Sequence, residues 1–117
     1  HHKDLLNTYD PSGHAPLHAV CIAASAVRIK VLQLLLESKA DINLPVSDSE
    51  DHPTAPHLTG ASALQVSIIE GDVPCASMLL ENKADPLQSK SGGDHRGASA
   101  LMIASMAPPE FADELVT

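Results

Sequence analysis

The sequence predicts an all-α protein, organised as a solenoid of helix-turn-helix repeats. The first observation is composition, because the chain of 117 residues is 44% apolar but only 2% aromatic. Tyr9 and Phe111 supply the aromatic fraction, so most of the core volume must come from Ala and Leu, which suits closely packed helices better than a β-sandwich. The second observation is internal repetition, which is typical of repeat architectures.

A short block recurs three times along the chain. It consists of Gly, any residue, a small residue, a small residue or Pro, and then Leu, and it covers 13–17, 60–64 and 97–101. A second block, 34–41, matches 78–85 at most positions. Two complete units and the start of a third are therefore indicated.

The spacing between units is uneven, and Leu115-Val116 begins the second block again. The additional residues fall at the joints between units, in 44–59 and 87–96. A repeat protein tolerates insertions there, because the regular elements that form its core stay unchanged.

The blocks resemble the ankyrin repeat, whose unit is a β-turn followed by two helices, opened by a T-P-L-H motif. Residues 15–18 read A-P-L-H and resemble this motif. Residues 35–43 resemble the family's downstream motif, LL..GAD.N. Asn7, Asp10 and Gly13 stand at the spacing expected of a preceding repeat's finger.

The sequence departs from the family at four positions. Lys39 and Lys83 stand where the family usually has Gly, and Gln65 and Met102 replace the signature His. With these blocks as guides, we predict one ankyrin-like domain. Its parts are a finger of a preceding repeat (1–14), repeat 1 (15–43), an inserted loop (44–59), repeat 2 (60–86), a second loop (87–96) and a partial repeat 3 (97–117).

Local signals predict where the helices begin and end. We expect helices at 16–24, 28–38, 63–70, 73–82, 100–107 and 109–117.

Ser62 and Gln65 form an S-x-x-Q capping box, and Ser99 stands at the equivalent N-cap. Gly71 suits a helix C-terminus with positive φ, and Asp72 can cap the helix that follows.

Two prolines suit the first turn of a second helix, Pro74 in repeat 2 and Pro109 in the third unit. Val27, Val31, Leu34 and Leu35 lie at i, i+4, i+7 and i+8, a single apolar stripe typical of a helix that packs on a core.

His18 is the most conspicuous candidate for catalysis, but the resemblance implies a structural role, in which the signature His joins the turn to the helix. Since Gln65 and Met102 stand at equivalent positions, a reacting base is not expected there. The residues with predicted structural roles are Leu17, His18, Leu35, Leu36, Ser62, Leu64, Gly71, Leu79, Leu80, Ser99 and Leu101.

The resemblance further implies that a partner protein contacts the finger tips and the exposed side of each first helix. Ile69 and Met106 are the favoured positions, because an apolar side chain at an exposed position indicates an interaction surface. Carried over by register, the partner-binding candidates are Pro11, Ser12, His14, Thr59, Ala61, Ile69, Glu70, His95, Arg96, Ala98 and Met106.

Other classes of function are not supported by the residues. The formal charge of −8 and the scattered basic residues argue against nucleic-acid binding and favour a solvated basic surface. His52 and His57 lie in what reads as an extended, solvated loop, which does not suit a metal site. The stretch 88–96 lacks a phosphate-binding motif. We therefore expect no enzyme activity, cofactor or metal.

Cys21 and Cys75 lie within apolar helical patterns, which predicts buried thiols in a reducing intracellular compartment. The cytoplasm is the favoured compartment. No stretch is long enough to span a bilayer.

The predicted function is a non-catalytic protein-interaction module, either a scaffold or a regulator. The alternatives are a structural subunit of a larger complex and a non-catalytic appendage of an enzyme. We also expect the segment to be part of a longer array or a larger assembly, because each repeat buries its apolar face only against its neighbours.

Overall fold

The structure is a computed structural model, and it describes residues 7–23, 26–48, 52 and 54–105. Within these residues the chain forms helices and no strand, as predicted. The helices are α1 (Pro16–Ile22), α2 (Arg28–Glu37), α3 (Ala63–Ile69), α4 (Val73–Glu81) and α5 (Ala100–Ser105).

Each described helix begins at the predicted residue and ends within two residues of the predicted end. The sixth predicted helix, at 109–117 with Pro109 in its first turn, lies outside the described residues.

The helices pack in two layers. The first helices of the units, α1, α3 and α5, lie side by side, and α2 lies against α4 in the second layer. Within each complete unit the first helix packs on the second, as α1 does on α2 and α3 on α4. This arrangement matches the predicted helix-turn-helix repeat, in which each unit contacts its neighbours in sequence.

Local capping explains why the second unit's helices start where they do. Ser62 N–H donates to Gln65 Oε1 (2.9 Å) and Gln65 N–H donates to Ser62 Oγ (3.3 Å), so the predicted capping box is formed. Gly71 has a φ of +73°, and Asp72 Oδ1 accepts from Cys75 N–H at 3.3 Å. Polar side chains thus satisfy helix N–H groups that have no partner within the helix.

Asp72 also joins the two complete units. Its carboxylate accepts from Arg28 Nε at 2.7 Å and from Arg28 Nη2 at 3.0 Å, so the first turn of α2 is bridged to the start of α4. The Arg28 guanidinium lowers the pKa of Asp72, because it favours the ionised carboxylate.

The prediction that one apolar stripe of α2 packs on the core is wrong for three of its four residues. Val27, Val31 and Leu34 are 57%, 38% and 61% exposed, whereas Leu32 is fully buried. Leu35 does pack against the core, together with Ile29 and Leu36. The reason is that α2 has two apolar faces, and it turns the Leu32 face towards α1 and α4.

Both cysteines are buried, as predicted, and both are free thiols in this structure. Cys21 lies in α1 and Cys75 in α4, and both belong to the continuous apolar core. The hydrogen bond with the neighbouring Cys75 thiol and burial both raise the pKa of Cys21, so this thiol stays protonated and behaves as a small hydrophobe.

Candidate functional site

Each first helix is preceded by a backbone turn that we call a finger. In finger 1 (10–14), Asp10 N–H donates to His14 O (2.9 Å) and Gly13 N–H donates to Asp10 O (2.9 Å). The same pair of bonds closes finger 2 (46–61) between Val46, Gly60 and Ala61, and finger 3 (90–98) between Lys90, Gly97 and Ala98. Three fingers thus share one closing pattern.

The fingers differ in the length of the tip between the closing residues. The tip of finger 1 is residues 11–12, that of finger 2 is 47–59, and that of finger 3 is 91–96. Most of the additional length that the sequence placed at 44–59 and 87–96 therefore lies in finger tips.

The expectation of an extended, solvated loop at 44–59 is wrong for the part that the structure describes. Val46, Ser47 and Leu58 are 0%, 4% and 5% exposed. Ser47 N–H donates to Gly13 O at 3.0 Å, which holds finger 2 against finger 1. Charged residues in the sequence suggested a solvated loop, but the backbone of this segment bonds to the neighbouring fingers.

Finger 3 lies against finger 2 in the same way. Ser91 N–H donates to Gly60 O at 3.0 Å, the counterpart of the bond from Ser47 to Gly13. Asp94 N–H also donates to Pro56 O at 2.8 Å. The three fingers therefore form one row, joined by backbone hydrogen bonds from each finger to the next.

Close backbone approach explains a glycine in this row. Gly60 has a φ of +74°, and a Cβ at this position would overlap the nitrogen of Gly92. No other residue fits there without moving one finger away from the next.

Lys90 is an exception to the predicted solvated basic surface, because it is only 1% exposed. Its Nζ donates to the carbonyl oxygens of Thr59 (2.6 Å), Gly92 (2.8 Å) and Pro56 (3.3 Å). Burial lowers the pKa of the ammonium, and the three carbonyl oxygens compensate for lost water. The lysine joins the tips of fingers 2 and 3.

His18 joins the turn to α1 and to the following joint. Its Nδ1 accepts from Ala15 N–H at 3.0 Å, so Nε2 carries the proton and donates to Leu44 O at 2.6 Å. The ring is completely buried, and burial lowers its pKa to about 4. These contacts agree with the structural role implied by the resemblance.

Gln65 makes the same two connections in the second unit. Its Oε1 accepts from Ser62 N–H at 2.9 Å, and its Nε2 donates to Gln88 O at 2.7 Å. His18 and Gln65 are thus equivalent ties, each holding a finger to its helix and to the next joint.

A second polar tie also repeats. Asn7 Oδ1 accepts from Asp41 N–H at 2.8 Å, and Asn43 Oδ1 accepts from Asp85 N–H at 2.9 Å. Sequence reasoning noted Asn7 as part of a finger but did not assign Asn43. The two bonds span 34 and 42 residues of the chain, so no fixed spacing pointed to Asn43.

The predicted partner-binding residues lie in three settings. Exposed ones are Pro11, Ser12, Glu70, His95 and Arg96, and half-buried ones are His14, Thr59 and Ile69.

Ala61 and Ala98 are 0% and 7% exposed, so the exposure expected for them is wrong. Their carbonyl groups close fingers 2 and 3, which draws them under the row. Ile69 packs against the core, which accounts for its apolar side chain. Met106 lies outside the described residues.

The predicted structural residues are mostly buried. Leu17, His18, Ser62, Leu64, Leu79 and Ser99 are buried, and Leu35 and Leu36 are half-buried. Gly71 is exposed and has the positive φ that was predicted.

Two leucines differ from that expectation, since Leu80 is 37% and Leu101 56% exposed. Leu80 lies on the outward side of α4. The second helix expected to pack beside α5 falls outside the described residues.

Two shallow cavities lie between a finger and its first helix. One, of about 230 Å³, is lined in part by Tyr9, His14 and Ala19. The other, of about 440 Å³, is lined in part by Arg96 and Met102. Both lie where a partner is expected to contact the fingers and first helices.

The polar cluster of finger 1 is not arranged for nucleophilic catalysis. Ser12 Oγ donates to Asp10 Oδ1 at 2.6 Å and lies 3.0 Å from His14 Nδ1. In a catalytic triad the His stands between the Ser and the Asp, whereas here the Ser stands between them. These contacts, with the bond from His14 N–H to Asp10 Oδ1 (3.0 Å), order the finger tip.

The two histidines weighed as metal ligands do not converge on one site. His52 Nδ1 lies 2.6 Å from Ser47 Oγ, and the ring stacks edge-on against Tyr9. His57 is exposed. Among the described residues, no group of three or more His, Cys, Asp or Glu side chains could hold a metal ion.

No helix within the described ranges has the length and apolar character needed to cross a membrane.

Comparison with known proteins supports the resemblance. The ankyrin repeat family model matches residues 12–46, which comprise most of finger 1, α1, α2 and the joint that follows. A search of curated proteins finds no match to the chain. The predicted resemblance to the ankyrin repeat is confirmed, and the match falls on the unit whose motif was the most complete.

Proposed function

We propose that the chain is a non-catalytic protein-interaction module that binds a partner protein through its finger tips and the exposed side of its first helices. Ankyrin repeats are protein-interaction modules and are typically non-catalytic, and the family match covers the first unit. That match supports the general class of function.

The observation that carries the proposal is the row of fingers. Equivalent bonds, from Ser47 to Gly13 and from Ser91 to Gly60, place three polar tips side by side. Because the tips are held by backbone bonds and by the buried Lys90, they can present side chains to a partner without first being ordered. Exposed Ser12, His95 and Arg96 belong to these tips.

The electrostatic character of the row varies along its length. Finger 1 carries Asp10, whose pKa is lowered by hydrogen bonds from Ser12 and His14 and which therefore stays ionised. Finger 3 carries the exposed cation Arg96 and also the exposed anion Asp94. A partner that follows the row would meet negative charge at finger 1 and both signs of charge at finger 3, and this difference favours one orientation.

Site-specific photocrosslinking tests the proposal directly. A photoreactive residue is introduced in the full chain at Ser12 or His95, on the tips, and at Lys30 or Glu81, on the exposed side of the second helices. We expect crosslinks to another protein from the tip positions and none from the second-helix positions. Equal yields from both sets, or none from the tips, would contradict the proposal.

The same experiment separates a module from a structural subunit. Several exchangeable crosslinked partners are expected of a module. A single partner in fixed stoichiometry would favour the structural subunit of a larger complex instead.

A further inference from the structure

The two cysteines of the chain meet inside the core, and the proposed function makes no use of their chemistry. Cys21, near the end of α1, is 2% exposed, and Cys75, in the first turn of α4, is 0% exposed. The two thiols are joined by a hydrogen bond. Because α1 belongs to unit 1 and α4 to unit 2, a covalent bond between the two sulfur atoms would join the units.

The direction of this hydrogen bond gives the two thiols different roles. The bond to Cys75 is the largest cause of the raised pKa of Cys21, ahead of burial, because a thiol that donates a hydrogen bond keeps its proton. Cys21 is therefore the donor, and the sulfur of Cys75 is the acceptor. In a thiol pair of this kind the accepting sulfur attacks an oxidant, and the donating thiol then completes the disulfide.

Polar groups surround the Cys75 thiol although the residue is buried. The side chains of Arg28 and Asp72 both hydrogen-bond to it. Asp72 also caps α4, where its Oδ1 accepts from Cys75 N–H at 3.3 Å. Reactive cysteines are found at helix N-termini and beside cations. Cys75 is placed next to both, and Asp72 shares the guanidinium of Arg28 through the ion pair of 2.7 Å.

An open cavity of about 410 Å³ lies next to this group. Cys21, Arg28 and Asp72, three side chains that contact the Cys75 thiol, all line the cavity. The side chain of Arg28 is 25% exposed. A movement of this side chain would therefore bring a molecule not much larger than water to the sulfur of Cys75.

We propose that Cys21 and Cys75 are an oxidation site, at which a peroxide forms a reversible disulfide between α1 and α4. This inference goes beyond the proposed function and does not depend on a partner protein. In a reducing compartment, such as the sequence predicts, a disulfide of this kind is transient and responds to the supply of oxidant.

The reaction with hydrogen peroxide balances in two steps. The Cys75 thiol loses its proton to water, and the thiolate attacks one peroxide oxygen. The O–O bond breaks, an S–O bond forms, and the hydroxide that leaves takes up a proton to give water. The Cys21 sulfur then attacks the sulfenic acid of Cys75, the S–S bond forms, and the hydroxyl group leaves with the Cys21 proton as a second water. Two electrons pass from the sulfurs to the peroxide.

Peptide mapping of the oxidised chain tests the proposal. The reduced full chain is treated with hydrogen peroxide, either native or in concentrated urea, and the remaining thiols are blocked with iodoacetamide. For the native chain we expect a linked pair of tryptic peptides, 4–28 and 40–83, that dithiothreitol separates. In urea, linked chains and sulfinic acid should compete with this product. Unmodified thiols in the native chain, or the same products in both states, would overturn the proposal.

A matched pair of variants tests the order of attack. Cys21→Ala leaves Cys75 without a partner, so its sulfenic acid should persist and be labelled by dimedone. In Cys75→Ala, labelling of Cys21 should be at least fivefold lower. Each variant removes one thiol from the same place in the core, so a general loosening would affect both alike. Equal labelling would contradict the assignment of Cys75 as the nucleophile.

The size of the oxidant shows whether the reaction uses the cavity. Relative to their rates with free glutathione, hydrogen peroxide should form the disulfide at least tenfold faster than tert-butyl hydroperoxide. Equal relative rates would mean that the pair reacts only when the chain unfolds, and would refute an oxidation site in the native fold.

The disulfide should also stabilise the joint between the two units. We expect the Tm of the oxidised chain to rise by about 10 °C, because the link closes a long stretch of chain. Dithiothreitol should reverse the rise. An unchanged or lower Tm after complete oxidation would contradict a disulfide that fits between α1 and α4.

Discussion

The joint after unit 1 and the joint after unit 2 are built on one backbone plan but closed by different side chains. In both, a residue of the first helix accepts from the N–H that precedes the helix and donates to a carbonyl of the next joint. The first joint uses His18 and the second uses Gln65. The position therefore requires one acceptor and one donor on a planar group, and does not require an imidazole.

The two ties differ in their response to pH, because an imidazole can be protonated and an amide cannot. His18 must stay neutral, since its Nδ1 accepts from Ala15 N–H. Gln65 keeps its hydrogen bonds at any pH. The first joint is therefore sensitive to acid where the second is not.

The largest effect is expected from removing a tie. His18→Ala leaves Ala15 N–H and Leu44 O unpaired and creates a cavity, which should lower the free energy of unfolding by about 4 kcal/mol. His18→Gln, which copies the tie of the second joint, should cost less than about 1.5 kcal/mol. Urea denaturation followed by circular dichroism measures both. Equal losses would show that the two joints are not equivalent.

The next effect concerns the contact between fingers. Gly60→Ala places a Cβ against the backbone of Gly92 at a φ of +74°, and we expect a loss of about 3 kcal/mol from overlap and strain. Gly71→Ala is the control, with a φ of +73° and no atom within 4 Å of the added Cβ. It should cost about 1 kcal/mol from strain alone. Similar losses in thermal or urea denaturation would argue against close finger contact.

The pH dependence of stability should distinguish the two ties. Burial lowers the pKa of His18 from 6.5 to about 4, so the unfolded chain binds the proton more tightly. The contribution of His18 to the free energy of unfolding is complete above pH 6.5. It is lost as the pH falls to 4, and the loss is about 2–3 kcal/mol.

His18→Gln should reduce this loss markedly between pH 6.5 and 4. The pKa values of Asp10 and Asp72 are lowered by their hydrogen bonds, so their own contributions are lost at the acid end of the range. Urea denaturation at a series of pH values measures how the free energy of unfolding changes with pH. If this change were equal in the unmodified chain and in His18→Gln, His18 would be excluded as its source.

The smallest effect concerns the two lysines at the ends of the second helices. Lys39 and Lys83 have φ values of +72° and +70°, in the left-handed region that favours glycine. Lys39→Gly and Lys83→Gly should each stabilise the chain by up to about 1 kcal/mol, because they relieve strain. Differential scanning calorimetry would detect a higher Tm, and a lower Tm would show that these side chains contribute contacts that outweigh the strain.

Much of the fold could be predicted from the sequence, because its signals are local. The recurring Leu positions placed the helices, and Ser62, Gly71 and Asp72 marked their ends through contacts within a few residues. The buried face of α2 could not be chosen in this way. Its sequence offers two apolar faces, and packing against neighbouring helices selects the one that contains Leu32.

The candidate site was less accessible to sequence reasoning. The role of His18 followed from the resemblance, but polar composition made 44–59 look solvated. The burial of Val46 and Lys90 depends on bonds between segments far apart in the chain, to Ala61 and to Thr59. Such bonds leave no periodic pattern in the sequence.

The fingers form one ordered row, and hydrogen exchange of individual amides tests this arrangement most directly. Ser47 N–H and Ser91 N–H donate to the preceding fingers at 3.0 Å in both cases. Both amides should exchange slowly, with protection close to that of the helix amides in α3. Exchange at the rate of an unstructured peptide would show that the long tips are free loops, and would contradict the account.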